Sequence, residues 1–165
     1  NLLYGYFVLT ESLPAEKRRA FEWWRANPFG AFKVFSTYPG VLPLVLVMGV
    51  FFFSTSVYPA IWSFWGIAKF GWSELTVGLT LAAFGIVTSL CQALLTGPAE
   101  QKLGAQGAAL LGLVCSALAC LAYGFAGGLV AVLFLILLHG PEGFVHPILT
   151  SILTKRVPED AQGEL

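Results

Sequence analysis

The run VLFLILLHGPEGFVHPILTSILT, Val132–Thr154, decides the fold. It is apolar and long enough to cross a bilayer, which takes about 20 residues. Yet it holds His139, Glu142 and His146 near its middle. An ionisable side chain at that depth costs about 2.5–3.5 kcal/mol on insertion scales, so membrane chains keep one there mainly for function. On a continuous helix turning about 100° per residue, His139, Glu142 and His146 share an arc of about 60°, with Thr150 on the same face. Pro141 and Pro147 each remove a backbone donor, freeing the carbonyls of Leu137 and Gly143, and Gly140 and Gly143 loosen the same turns. Weakened, polar backbone at membrane depth is tolerated only where it faces protein or a water-filled hollow.

Composition agrees with a membrane setting. The chain has 165 residues, of which 57% are hydrophobic and 11% charged. Its mean hydropathy is +0.78. Soluble domains run near about 25% charged, so the expected class is an all-α, polytopic transmembrane bundle with the lipid bilayer as its main partner. Zero net charge argues against nucleic acid. Cys91, Cys115 and Cys120 all lie in apolar segments with no paired spacing, which reads as buried free thiols and not as a disulfide framework or zinc ribbon. No cofactor is expected. Asn1 opens inside an apolar run without a basic leader, so the chain is read as a fragment of a longer one.

Outward from the opening stretch, the organisation is as follows. Residues 1–10 (NLLYGYFVLT) read as the tail of a transmembrane helix. Residues 11–38 read as a cytoplasmic linker, with a short amphipathic helix at 28–36 carrying Phe29, Phe32, Phe35 and Lys33 on the membrane surface; a surface turn is the alternative. Region 39–154 holds four spans, at about 41–64, 75–95, 105–125 and 129–154, and 155–165 is a cytoplasmic loop. Loops are expected at Trp65–Glu74, Thr96–Gly104 and Ala126–Gly128. With four spans, eight basic residues (Lys17, Arg18, Arg19, Arg25, Lys33, Lys102, Lys155 and Arg156) fall on one side and only Lys69 on the other. The excess marks the cytoplasmic face.

Each span carries candidates. At the outer end of the first, Tyr58, with Trp65 and Trp72 just beyond the span, suits an aromatic belt, while Tyr58 and Trp62, one turn apart, can wall a cavity. In the second, Thr76, Thr80, Thr88, Gln92 and Thr96 form a slowly spiralling polar stripe, of which Gln92 and Thr88 are the candidate cavity residues. The third places Gly104, Ala108, Gly112, Ser116 and Cys120 at intervals of four, which reads as close helix packing. In the fourth, Glu142 with His139 and His146 can take up and release a proton or bind substrate. The bland reading makes Glu142 a protonated, hydrogen-bonded glue residue. A third reading makes the three a metal site, without the HExxH arrangement of zinc proteases.

The runs ESLPAEKRRAFEWWRANPFGAF, VYPAIWSFW, FGWSELTVGLTLAAFGI and VPEDAQGEL closely resemble the tetracycline-resistance-like branch of the major facilitator superfamily, over essentially the whole chain. The resemblance implies a twelve-helix transporter of which this is the end of helix 6, the central loop and helices 7 to 10, part of the C-terminal half, with the missing helices as partners. It implies that helices 7, 8 and 10 line a cavity while helix 9 lies outside. The loop GPAEQKLGAQ looks like a decayed form of the superfamily's G-x-x-x-D-R-x-G-R-R gating signature: Gly97, Lys102 and Gly104 match, and Gln101 replaces the aspartate. Tetracycline pumps carry a histidine in helix 8 and an aspartate in helix 9, at positions matching Thr88 and Ser116; Gln92 matches the family.

The expected function is small-molecule transport by alternating access, with protons as the coupling ion and drug or metabolite efflux as its direction, in the bacterial inner membrane. The expectation is a transporter, not an enzyme. The alternatives are an uncoupled facilitator or importer of the same fold, a metal-dependent membrane protein using His139, Glu142 and His146, and a non-transporting scaffold.

Overall fold

The structure is a computed structural model that describes Phe7 and residues 37–158. Apart from Phe7, the expected helix tail over 1–10 and the amphipathic helix over 28–36 lie outside the described residues, as do 159–165. The described residues form helices only.

Helix α1, Val41–Phe70, accepts Pro43 because the first turn has no intrahelical partner for its N–H groups. It runs six residues beyond the expected span, so 65–70 is helix and not loop. Helix α2, Glu74–Phe125, starts at Ser73, whose hydroxyl caps the Thr76 N–H at 3.3 Å. Its 52 residues are too long for one crossing, and the chain breaks at Gly104, with φ 70° and ψ 165°, a backbone that side chains with a Cβ rarely adopt. The two arms, 74–103 and 105–125, are about 45 and 32 Å long at 1.5 Å per residue. The loop expected over Thr96–Gly104 is therefore helical up to the glycine. Pro98 tolerates this at the cost of one backbone bond, since its fixed φ suits a helix. Helix α3, Leu129–His139, passes through a 3-10 turn, Gly140–Phe144, into α4, Val145–Thr154.

Burial is inside out relative to a soluble protein. Phe53 and Phe64 are 77% exposed and Phe125 is 90% exposed. The interior is formed where the α3–α4 unit packs on α2. Ala108, Ala109, Phe144, Val145, Ile148 and Leu149 make one cluster. Gly112 belongs to this contact, since a Cβ there would come 2.7 Å from the Pro141 carbonyl oxygen. The small residues of the second arm thus do admit a close neighbour. At the other end Trp62, Trp72, Tyr123 and Ile136 share a second cluster. The aromatics expected as a belt pack on other rings: Trp65 lies edge-on to Trp72 at 5.8 Å and Tyr58 edge-on to Tyr123 at 6.5 Å, and Trp62 joins them, edge-on to Tyr123 at 5.2 Å. Lys69 donates to the Gly124 carbonyl at 2.5 Å and lies over the Trp65 and Phe70 rings, which ties the ends of α1 and α2 together. Among the described residues three helical stretches are long and apolar enough to cross a membrane: Val41–Phe70, Glu74–Phe125 and Leu129–Thr154.

Candidate functional site

The 3-10 turn builds the site. Pro141 has no N–H to offer Leu137, and the Val145 N–H reaches back only three residues, to Glu142. In a 3-10 turn, side chains three apart eclipse. His139, at the cap of the turn, and Glu142 therefore point the same way, and His139 Nε2 meets Glu142 Oε2. His139 is fully buried and Glu142 is 9% exposed.

Ser116 of the second arm closes the group. Its hydroxyl donates to Glu142 Oε2 at 2.6 Å and lies 2.9 Å from His139 Nε2. Tyr123, two turns further along the same arm, places its hydroxyl 3.4 Å from His139 Nδ1. The bonds are mutually consistent with the proton on Nε2: that N–H donates toward Ser116 and Glu142, and Nδ1 accepts from Tyr123. Tyr58 of α1 and Phe84 of the first arm sit edge-on to the imidazole, at centroid distances of 5.1 and 5.0 Å. Tyr58 also bonds Cys120. All of the described helices except α4 thus contribute, and Tyr58, Ser116 and His139 lie near the middle of their apolar stretches. Among the described residues no buried side-chain polar atom lacks a partner.

One approach holds this arrangement. At Gly143 a Cβ would fall 2.9 Å from the Thr88 carbonyl carbon, so only glycine lets the turn lie against the backbone of the first arm. Beside the cluster a groove of about 690 Å³ opens between α1 and the second arm, lined by Phe51, Ser54, Tyr58, Leu113, Ser116 and Cys120 among others.

Several expected site residues are elsewhere. His146 does not share the face of His139 and Glu142. From 142 to 146 the chain takes two steps of about 120° and two of about 100°, which carries His146 about 80° past a full turn. It is exposed and edge-on to Phe52 at 5.3 Å. The third ligand of a metal set is thereby removed, and no three His, Cys, Asp or Glu side chains converge among the described residues. Trp62 does not wall the groove; it is buried in the aromatic cluster and donates to Thr80 Oγ1 at 2.9 Å. Thr88 spends its hydroxyl on its own helix, on the Phe84 and Gly85 carbonyls at 2.9 and 3.1 Å. Gln92 is exposed and outside the hydrogen bonds of the cluster. Gly97 and Lys102 are helical and exposed, and Gly104 is the break.

Ser116 and Tyr123 were not legible as site residues. The second arm, expected to serve packing and to lie outside the cavity, supplies both, and one wall of the groove besides. One signal pointed there: the resemblance implies an aspartate in relatives at the position of Ser116. Here the carboxylate at that place comes from the neighbouring helix, as Glu142.

Comparison with known proteins gives a consistent family. The chain is 34% identical over 171 residues to the tetracycline resistance protein, class C, of Escherichia coli, covering 100% of this chain and 41% of that protein. It is 32% identical to the class G protein of Vibrio anguillarum, covering 86% of this chain and 36% of the other, and 31% identical to the class B protein of Escherichia coli, covering 80% and 33%. The chain thus spans about two fifths or less of the length of these relatives. No solved structure gives a significant match. The profile of the Major Facilitator Superfamily matches residues 2–165. With an apolar helical fold and a profile match over nearly its whole length, this integral membrane chain belongs to the Major Facilitator Superfamily.

Proposed function

We propose that this chain is part of a transporter that exports small molecules by alternating access, driven by protons carried on the Glu142–His139 pair. The supporting observation is a carboxyl and an imidazole in contact at the middle of an apolar bundle, enclosed and fully hydrogen-bonded. The partners suit a group that changes protonation. A carboxylate accepts from Ser116 and His139; a carboxylic acid can donate its O–H to Ser116 once that hydroxyl turns away, or to His139 Nε2 once the imidazole proton sits on Nδ1 instead. The other titratable groups facing the pair, among the described residues, are Tyr58, Tyr123 and Cys120. The relatives are tetracycline resistance proteins, which favours drug efflux as the direction. Tetracycline itself is disfavoured as cargo by Thr88 and Ser116, where the resemblance implies a histidine and an aspartate.

In this reading α1, the two arms of α2, and α3 with α4 make four crossings in the bacterial inner membrane. The linker, the Gly104 break and the tail face the cytoplasm, and Gly97, Lys102 and Gly104 serve as a gate hinge. The test uses the full-length transporter in proteoliposomes with an imposed pH gradient. Glu142→Gln is expected to reduce gradient-driven transport at least 100-fold at unchanged protein level. Transport at the wild-type rate refutes the pair as the proton carrier, and equal wild-type flux with and without the gradient marks an uncoupled facilitator.

A further inference from the structure

Each nitrogen of the His139 ring has its own partners. Nε2 meets Glu142 and Ser116, and Nδ1 meets the Tyr123 hydroxyl at 3.4 Å. Ser116 and Tyr123 are seven residues apart, two turns along one face of the second arm, so a single helix addresses both ends of the ring. The enclosure is made by this chain itself, since His139 is fully buried and Tyr123 is 6% exposed. Among the described residues the Tyr123 hydroxyl has no other hydrogen-bond partner. We propose that the pair stores its proton by tautomer exchange, with a Glu142 carboxylic acid facing a neutral imidazole, and that Tyr123 is the positioning residue that permits the exchange. The inference rests on Glu142 and His139 being the proton carrier.

In the empty state Glu142 is ionised, Nε2–H donates to it, and Nδ1 accepts from Tyr123. Loading adds one proton, drawn from water. An Nδ1–H bond forms, the Nε2–H bond breaks, and an O–H bond forms on Oε2. The ring ends with one proton, as it began, and the new acid donates to the bare Nε2. One negative charge is neutralised and no positive charge appears. The alternative store, an imidazolium against a carboxylate, keeps two charges in the interior. Their attraction offsets the loss of water only where further hydrogen bonds serve both ions. Little stands by to help. The titratable groups facing the pair, among the described residues, are Tyr58 on α1 and Cys120 and Tyr123 on the second arm, all uncharged near neutral pH. The first arm brings Phe84 and, against Gly140, Cys91, while His146 of α4 is turned to Phe52.

A hydroxyl is what Nδ1 needs in both states. A bare Nδ1 requires a donor and an Nδ1–H requires an acceptor, and a phenol becomes either by turning its O–H. Phenylalanine would be neither. Buried N–H groups are left unpaired less often than acceptors are. Without Tyr123 the ring therefore keeps its proton on Nε2, and the acid turns to Ser116 instead.

The experiment is solid-state NMR of the full-length protein in lipid bilayers, labelled with 15N-histidine, from about pH 8 to about pH 5. The His139 signals are those missing from His139→Leu. They are expected to report one protonated ring nitrogen at each end of the range, Nε2 at the alkaline end and Nδ1 at the acid end. Glu142→Gln is expected to abolish the change with pH. Tyr123→Phe is expected to lower the ratio of Nδ1–H to Nε2–H at the acid end about fivefold, the worth of one hydrogen bond. Tyr58→Phe removes a hydroxyl beside the same ring, but one bonded to Cys120, and is expected to leave the ratio unchanged. Two protonated nitrogens at the acid end overturn the exchange in favour of an ion pair, and Nε2–H throughout the range overturns it as well. Equal effects of the two tyrosine variants overturn the role of Tyr123. The spectra need neither a gradient nor a cargo. A neutral pair that does not drive transport and a coupling pair that is ionic are therefore separate results, the first read from the Glu142→Gln transport assay and the second from the ring nitrogens.

Discussion

Removing His139 tests whether the pair is a unit. In His139→Leu the buried Glu142 keeps only Ser116 as a donor, and the Tyr123 hydroxyl loses its acceptor. A hydrogen bond to a carboxylate is worth about 1.5–3 kcal/mol and the stranded Tyr123 hydroxyl adds to it, so the loss is about 3–4 kcal/mol. Glu142→Leu is milder. The imidazole left behind keeps Ser116 at 2.9 Å and Tyr123 at 3.4 Å, so the loss is about one or two hydrogen bonds, about 1–2 kcal/mol. In the double variant no charge is left in the interior. Two hydroxyls lose their partners, and that of Ser116 can turn to the carbonyl of its own helix four residues back. The double variant is therefore expected to cost about 1–3 kcal/mol, no more than His139→Leu alone. The singles then overshoot the double by about 3 kcal/mol, the upper limit for contacting side chains. The assay is reversible denaturant unfolding of the full-length protein in mixed micelles, in a double-mutant cycle. Additive losses would show that the two side chains are held independently, and the proton-carrying unit would be lost with that result.

Other consequences are simpler to state. Gly143→Ala must drive the 3-10 turn off the Thr88 backbone, which cannot rotate aside; about 1–3 kcal/mol of stability is expected to be lost in thermal unfolding, whereas Gly49→Ala, with open space around its Cβ position, should be neutral or slightly stabilising. Trp62→Phe should cost about 1 kcal/mol in thermal unfolding through the lost Thr80 bond, while Trp62→Phe with Thr80→Val should cost little more than Thr80→Val alone; fully additive losses would contradict that bond. In a background lacking Cys91, Cys115 and Cys120, an impermeant maleimide should label Lys102→Cys from the cytoplasmic side only and Lys69→Cys from the opposite side only. Labelling of both from one side would rule out four crossings.

How much was legible depends on what each residue's type can report. His139 and Glu142 stood out because an ionisable group in an apolar run is costly wherever the run sits. Their partnership with His146 did not survive, and the reason is a small one. A constant step of about 100° does not hold across a stretch whose two prolines and two glycines favour about 120° for part of it, and a few such steps move a side chain to another face. The helix ends were misplaced for a related reason: hydropathy marks where lipid stops, and α1 and the first arm continue past that point with Lys69 and Lys102 in helical backbone. Ser116 was hidden more deeply. In a four-residue stripe of Gly, Ala, Ser and Cys, a serine that lets helices touch looks the same as one that holds a carboxyl. The difference lies 26 residues away, in Glu142. What brings them together is a pair of glycines on either side of the crossing. Gly112 admits Pro141 and Val145 from one flank, and Gly143 presses on Thr88 from the other. A side chain at either would push the 3-10 turn out of the cleft, and Glu142 would leave Ser116 with it. The geometry of the site is thus set by residues that carry no chemistry, so a substitution at Gly112 should disturb the Glu142–Ser116 contact, and the proton coupling proposed for it, before it disturbs anything a sequence motif would flag.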